Sequence, residues 1–365
     1  IPFAITWLYL QCLTNRPKMA NLYYISRNYK ATNSAASKPK TDCERILDTI
    51  GFQNLGFKQT TFASSAIGAV VSFFGITKGV IRLPKNSTLA IQYPLSKYYK
   101  YITTIAGIKK CKIVLIIHDV KYLMGKNKDI AREMKKFSCA DVIIVHNDNM
   151  KKWFEQQGAT AKLIPLYMFD YLEDNSNYTA PELSKNGLFD VVFAGGLGMA
   201  KSAFIYKLDA LKNNSFHLKL YGSGFIKGDV DQANSIISFE GMFSPDEVAK
   251  HIRGSFGLVW NGNSIDECAG HFGQYLLYNN PHKTSLYLLC GLPIIIWDKA
   301  AIAAVIKERQ LGICISSLEE LDGKLKNLSN EDYQNMVKNV AEVREQIISG
   351  GFLKEAMGKA LLALS

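Results

Sequence analysis

The sequence lacks the signatures of several large protein classes. Its seven cysteines, at 12, 43, 111, 139, 268, 290 and 314, include no C-x-x-C pair and follow no regular spacing. A zinc site needs clustered ligands, so structural zinc is excluded, and reduced, buried thiols of a cytoplasmic protein are expected instead of a disulfide framework. No apolar run reaches the roughly 18–20 residues of a membrane-spanning helix. There is no G-x-S-x-G, no Cys/His constellation, no internal repeat and no low-complexity tract. Acidic residues are scarce in the front half: residues 1–180 hold 25 Lys+Arg against 12 Asp+Glu, and the remainder 18 against 20. The net charge of +11 is therefore a property of the front half, which points to an anionic partner there: nucleic acid, a membrane surface or a phosphorylated substrate. The first 13 residues are apolar, with no basic segment before them and no small-residue cleavage site after them. Residues 1–18 are expected to be an extension outside the fold, with a membrane-dipping segment as the alternative.

What is present is a globular composition, 48% hydrophobic and 21% charged, which excludes a disordered or collagen-like chain. At 365 residues the chain exceeds the size at which one core stops growing, about 250–300 residues. Strand and helix patterns alternate through the front half, with strands expected near 21–27, 57–62, 88–93, 112–117, 142–145 and 161–164. Continuous β-branched runs such as 113–117 suit strands buried on both faces of a parallel sheet. A capping-box pattern, Thr41 with Glu44, marks a helix over 41–50. Polar and turn-forming residues interrupt the rhythm over 168–188, the best linker candidate. Strands then recur near 190–194, 216–221, 236–239, 256–260, 293–297 and 312–315, and helices near 318–327, 330–348 and 351–364 end the chain. The expected architecture is α/β, with two doubly wound Rossmann-like domains facing a cleft. Its divisions are a first domain over 19–170, a linker over 171–187, a second domain over 188–348 and a terminal helix over 349–365.

Several positions can carry chemistry. Asn280-Pro281 looks like a helix start, which would leave the amides of His282, Lys283 and Thr284 free at a helix N-terminus. Such an end attracts phosphate, and Lys283 adds a full charge there. An ordinary capped helix with a solvated lysine is the plain alternative. Gly196 and Gly222 sit in glycine-bearing turns at strand ends, with Lys201 opening the following helix in the first case. A glycine there admits a ligand close to the backbone or simply makes a turn. Neither turn is G-x-G-x-x-G or a P-loop. His118-Asp119 ends the most apolar strand, where either side chain can take a proton from an acceptor hydroxyl. His146 ends the next strand and reads as structural, with Asn147 and Asp148 as helix-capping residues behind it. Asp229 and Asp231 form a D-x-D pair away from any strand end, so no metal site is assigned. The glycine-rich run 260–278 holds Asp266 and Glu267, which can contact a sugar, or it is only a flexible connection.

These residues resemble a family. Phe256-Gly257-Leu258-Val259-Trp260 and the run from Asn280 to Pro293 are similar to bacterial glycosyltransferases of the GT-B fold, in the group of beta-1,6-galactofuranosyltransferases and related glucosyltransferases. Ile117-His118-Asp119-Val120 and Ala140-Asp141-Val142-Ile143-Ile144 fit the same group, and the resemblance spans Met19 to the C-terminus. It implies a sugar-nucleotide donor held mainly by the C-terminal domain, an acceptor on the N-terminal domain and no required metal or cofactor. By this resemblance Lys283 matches a lysine on the donor diphosphate, and Tyr221 a tyrosine near the nucleotide. Lys201 stands where the group often has arginine, and a point charge there replaces a planar fork.

The expected activity is transfer of a sugar from a UDP-sugar to a carbohydrate hydroxyl. Galactofuranose is favoured, with glucose or galactose open, and the acceptor is a glycan or a lipid-linked glycan of surface-polysaccharide synthesis. A non-catalytic GT-B subunit that binds glycan or a partner transferase is the alternative, and a UDP-sugar epimerase or hydrolase a third. Nucleic acid is not expected, because no RNA-binding motif accompanies the lysines. The chain is expected to be cytoplasmic or peripheral at the inner face of the plasma membrane, attached by its basic half to an anionic surface. A homo-oligomer is left open.

Overall fold

A computed structural model describes residues 21–29, 37–95, 97–173, 181, 188–209, 215–226, 228 and 235–365. Residues 1–18 and the Asp229 and Asp231 pair lie outside them. The first sheet contains β1 (Leu22–Tyr24), β2 (Gln53–Asn54), β3 (Thr88–Tyr93), β4 (Lys112–Ile117), β5 (Val142–Val145) and β6 (Lys162–Pro165). The second contains β7 (Phe189–Gly196), β8 (Phe216–Ser223), β9 (Ile237–Gly241), β10 (Phe256–Val259), β11 (Ile294–Trp297) and β12 (Gly312–Ile315). Their orders are β2-β1-β3-β4-β5-β6 and β12-β11-β10-β7-β8-β9. Every pairing is parallel. The β-branched runs explain this, because β5, β10 and β11 are buried along their whole length, as parallel strands covered on both faces must be. In the second sheet the strand order reverses between β7 and β10, and in the first between β1 and β3. Open α/β sheets bind ligands beyond the carboxyl ends of the strands at such points.

Local chemistry departs from the sequence reading in three places. Residues 57–62 form no strand, only an isolated bridge from Asn28 to Thr60. The Asn28 side chain serves that backbone instead, donating to the Phe62 carbonyl at 3.0 Å and accepting from the Phe62 N–H at 2.8 Å. The first helix is Lys38–Thr49, with Pro39 in its first turn, so Thr41 is no cap. Glu44 turns inward, accepting from Ser26 at 2.7 Å, Tyr29 at 2.6 Å and Gln59 at 2.9 Å. The expected linker also begins inside the molecule, since Met168, Phe169, Asp170 and Tyr171 are all buried.

Asp170 anchors the last helix. Its carboxylate accepts the N–H groups of Phe352 at 3.1 Å and Leu353 at 2.8 Å, capping the Gly351–Leu364 helix. That helix packs on β5, β6 and the Lys38–Thr49 helix, so the end of the chain is built into the first unit. One buried cluster accordingly runs from Tyr24 and Val142 through Phe169 to Trp260 and Met357.

Burial raises the Asp170 carboxyl from its ordinary 3.8 to about 7, against the pull of the two N–H groups. The folded protein therefore holds this proton more tightly than the unfolded chain does. The stability linked to it is present below the unfolded value and is lost as pH rises through about 7. Thermal unfolding of wild type and Asp170→Asn from acid to mildly alkaline pH is expected to show the variant gaining on wild type across that window. A stability difference independent of pH would contradict it.

Candidate active site

One side of the candidate site is built where β7 and β10 diverge. β7 ends in Ala194-Gly195-Gly196, and β10 runs on into Trp260-Asn261-Gly262. The His282–Leu289 helix brings Lys283 between them. The Lys283 ammonium lies 3.9 Å from the Phe193 ring centroid and 3.5 Å from Asn261 Oδ1. A Cβ on Gly195 would stand 3.9 Å from that ammonium, an ordinary contact, and it is the backbone at φ 142° that favours glycine there. Lys201 enters from the next turn, its side chain passing Gly196 and its ammonium 5.7 Å from the Phe272 ring. The Gly262 N–H donates to the Lys201 carbonyl at 2.8 Å, tying the two loops together. Both lysines are half-buried, and among the described residues neither has a carboxylate within ion-pair distance. Burial, then the Lys201 charge, pushes Lys283 well below the ordinary lysine value, and burial lowers Lys201 as well. Two desolvated ammonium groups without a counter-charge make an anion site.

Asp119 faces this site from the first sheet. It follows β4, is half-buried, and interacts electrostatically with Lys201, Lys40 and Lys126. Tyr275 bridges the two units here: its hydroxyl accepts from the Val120 N–H at 3.2 Å and donates to Asp119 Oδ1 at 3.4 Å. Burial raises the Asp119 carboxyl, and the surrounding lysines and Tyr275 draw it back. His118 does not share this position. It is 7% exposed, its Nε2 meets Gln92 Oε1 at 2.7 Å, and its Nδ1 is enclosed without a partner. Burial and the charge of Lys40 keep it neutral, and the expectation of His118 as a cleft base is corrected: it packs flat on Phe169 at 5.7 Å.

Most of the remaining expected donor residues are committed to the scaffold. Asn280 is no helix cap, because Pro281 takes that place without a side-chain bond. Its amide donates to the carbonyls of His146 at 2.6 Å and Tyr167 at 2.9 Å, and its oxygen accepts from Asn147 at 2.7 Å. The Asn280 N–H donates to His146 Nδ1 at 3.0 Å, while His146 Nε2 reaches the Ile117 carbonyl at 3.2 Å. Burial holds His146 down to about 4, so it stays neutral and serves as donor and acceptor at once. This clasp locks the two sheets together, in line with the structural reading of His146. The His282 ring stacks on Tyr171 at 4.8 Å, facing away from Lys283. The Thr284 N–H is taken by the Pro281 carbonyl at 2.9 Å and its hydroxyl is fully enclosed. Tyr221 is buried, its hydroxyl 3.3 Å from the His251 carbonyl and from the Arg253 N–H. Gly222 (φ 139°) answers to its neighbour strand, since a Cβ there would stand 1.8 Å from the Gly195 carbonyl oxygen. Asp266 and Glu267 are exposed, and Asp266 turns back onto the Ser264 hydroxyl at 2.8 Å. The residues brought together are thus Lys201, Lys283, Gly196 and Asp119, joined by Asn261 and Tyr275. Nothing local in the sequence marks those two, although Asn261 lies two residues beyond buried β10.

The glucosyltransferase 3-like N-terminal domain matches residues 22–168, and the corresponding C-terminal domain matches residues 191–360. The chain belongs to the glucosyltransferase 3-like family. Like other chains similar to it, this glucosyltransferase 3-like protein is matched along most of its length. The beta-1,6-galactofuranosyltransferase WbbI of Escherichia coli (strain K12) is 25% identical over 342 residues, covering 93% of this chain and 98% of that protein. Glucosyltransferase 3 of Streptococcus gordonii is 29% identical over 261 residues, covering 70% and 72%. Among solved structures, the apo form of the lipopolysaccharide outer core galactosyltransferase WaaB superposes with a TM-score of 0.54 at 11% identity, over 93% of this chain and 99% of that one. A UDP-glucosyltransferase from Polygonum tinctorium gives 0.51 at 10% identity, over 96% and 100%. These likenesses bear on the fold, two Rossmann-like units in the GT-B arrangement.

In this glucosyltransferase 3-like protein the clasp is directly testable. Asn280→Ala removes three side-chain hydrogen bonds of the clasp and takes the partner from the Tyr167 carbonyl, while the His146 carbonyl keeps the Tyr167 N–H at 2.8 Å and the Asn147 amide keeps the Tyr278 carbonyl at 2.9 Å, so it is expected to cost about 1–3 kcal/mol of unfolding free energy. Denaturant titration measures it, and a loss under about 0.5 kcal/mol, the level of a neutral surface change, would contradict the clasp.

Proposed function

We propose that this glycosyltransferase takes a hexose from a UDP-sugar and transfers it directly to a carbohydrate hydroxyl, with galactofuranose the favoured sugar. The observation that carries the donor assignment is the Lys201 and Lys283 pair, half-buried at the β7–β10 switch point with no carboxylate partner among the described residues. A diphosphate supplies the missing negative charge, and as the bond from the anomeric carbon to the diphosphate oxygen breaks, both ammonium groups stabilise the leaving UDP. The same two charges account for a reaction that needs no divalent metal. Asp119 takes the proton of the acceptor hydroxyl while its oxygen forms the new bond to the anomeric carbon, and Tyr275 orients the carboxylate. The likeness to WbbI favours galactofuranose, and the glucosyltransferase 3 relatives keep glucose as the competing donor. The acceptor is a glycan, free or lipid-linked.

Binding and turnover separate the two sides of the site. Lys283→Ala is expected to weaken UDP binding on the order of tenfold or more, from the loss of a charged hydrogen bond. Asp119→Asn is expected to keep UDP affinity within a few-fold and to lower kcat about 10²–10⁴-fold. Calorimetry with UDP, and turnover with UDP-galactofuranose and UDP-glucose on glycan acceptors, read both. Wild-type UDP affinity in Lys283→Ala would overturn the donor site.

A further inference from the structure

The Ser65–Arg82 helix is built the opposite way round from a helix of a water-soluble surface. Its buried face is made of small residues, Gly68, Ser72, Gly75 and Gly79, with Ile76 and Val80. A Cβ at Gly75 would press on the Phe57 ring at 3.1 Å and one at Gly79 on Ile25 at 2.8 Å, so the helix lies close on the first sheet. The large apolar side chains point outward: Ile67, Val70, Phe73, Phe74 and Ile81 are each 50% to 70% exposed. Ile108 on the neighbouring Tyr99–Ile108 helix extends the patch, also 70% exposed. Contiguous exposed apolar surface of this kind marks an interaction site. Among the described residues this is the one helix long and apolar enough to cross a membrane, against the expectation that no apolar run reaches that length. Its packing against the sheet lays it along the surface instead.

The surrounding charge identifies the partner. Residues 49–118 contain no Asp or Glu and nine Lys or Arg. Of these, Lys58, Arg82, Lys85, Lys97, Lys100, Lys110 and Lys112 are exposed, Lys112 paired with Asp141 at 2.9 Å. Lys109 is spent within the fold, donating to the carbonyls of Val80, Ile81 and Leu83 and so closing the end of the Ser65–Arg82 helix. A second copy of this chain on the same face would set these cations against themselves, because a two-fold interface pairs a patch with itself. An anionic lipid surface meets both demands, taking the apolar side chains into its acyl boundary and pairing the cations with its headgroups.

We propose that the Ser65–Arg82 helix docks the protein in the plane of an anionic membrane, with its five outward apolar side chains inserted and the flanking lysines on the headgroups. The inference goes beyond the transfer reaction and does not depend on it. Co-sedimentation of the full chain with vesicles tests it, using phosphatidylcholine alone and phosphatidylcholine mixed with phosphatidylglycerol, at low and high salt. Wild type is expected to bind the mixed vesicles and to lose most binding at high salt or without the anionic lipid. The Phe73→Ser, Phe74→Ser double variant is expected to bind on the order of tenfold more weakly. Lys85→Glu with Lys100→Glu, which leaves the apolar face intact, is expected to do the same and to flatten the salt dependence. UDP affinity is unchanged in each, which separates this outcome from failure of the donor site. Absence of wild-type binding, equal binding by either variant, or a dimer that the serine variant dissociates while no vesicle binding occurs would each overturn the proposal.

Discussion

Two ammonium groups repel each other at the mouth of the second sheet, and the surrounding structure is arranged to keep them there. Lys283 is held by a short helix, with its ammonium against the Phe193 ring and the Asn261 side chain. Lys201 is held by a turn whose backbone is bonded to Gly262. Relaxation of either lysine onto a carboxylate would remove the repulsion, and none among the described residues is within reach. The acid that does face them, Asp119, belongs to the other sheet. Charge is thereby separated across the cleft, cations on one side and a carboxylate on the other, which suits the transfer proposed above.

That separation depends on a fixed distance between the sheets. Neutral His146 is central to it, because one ring nitrogen accepts from Asn280 while the other reaches back into its own unit. Asn147 and Asn280 complete the clasp through their amides, so charge plays no part where the units meet deepest. Lys38 makes a second link, buried with Asp42 at 3.0 Å and reaching Asp246 of the other unit at 3.3 Å. Asp170 then fastens the final helix across the junction. These contacts surround the candidate site without entering it, so they set its geometry and leave the proposed chemistry to Asp119, Lys201 and Lys283.

The parts legible in the sequence were those with local signals. The parallel sheets followed from continuous β-branched runs, while Lys201 and Asp119 drew notice by their places just beyond strand ends and Lys283 by its place at a helix start, and the fold brings these three to one cleft. Asn280-Pro281 marks the helix start to within a residue, but the Asn280 side chain is spent on His146, Tyr167 and Asn147 and not on a cap. His282 and Thr284 flank Lys283, but a helical step of about 100° turns neighbouring side chains to different surroundings. Tyr275 and Asp119 are far apart in the chain, and no spacing rule connects them. Likewise hydropathy identifies 65–82 as apolar but cannot show that its small residues take the buried face. That follows only from the closeness of Phe57 and Ile25.

The central claim is that Lys283, its pKa lowered by burial and by the Lys201 charge, takes a diphosphate as its counter-charge. UDP binding returns the missing counter-charge, raises the Lys283 value and draws a proton from solution. Calorimetric titration with UDP in buffers of different ionisation enthalpy, at mildly alkaline pH where the nucleotide itself no longer titrates, measures that proton directly. The account predicts net proton uptake on binding in wild type and its loss in Lys283→Met. Binding with no proton exchange, or the same uptake in the variant, would contradict it.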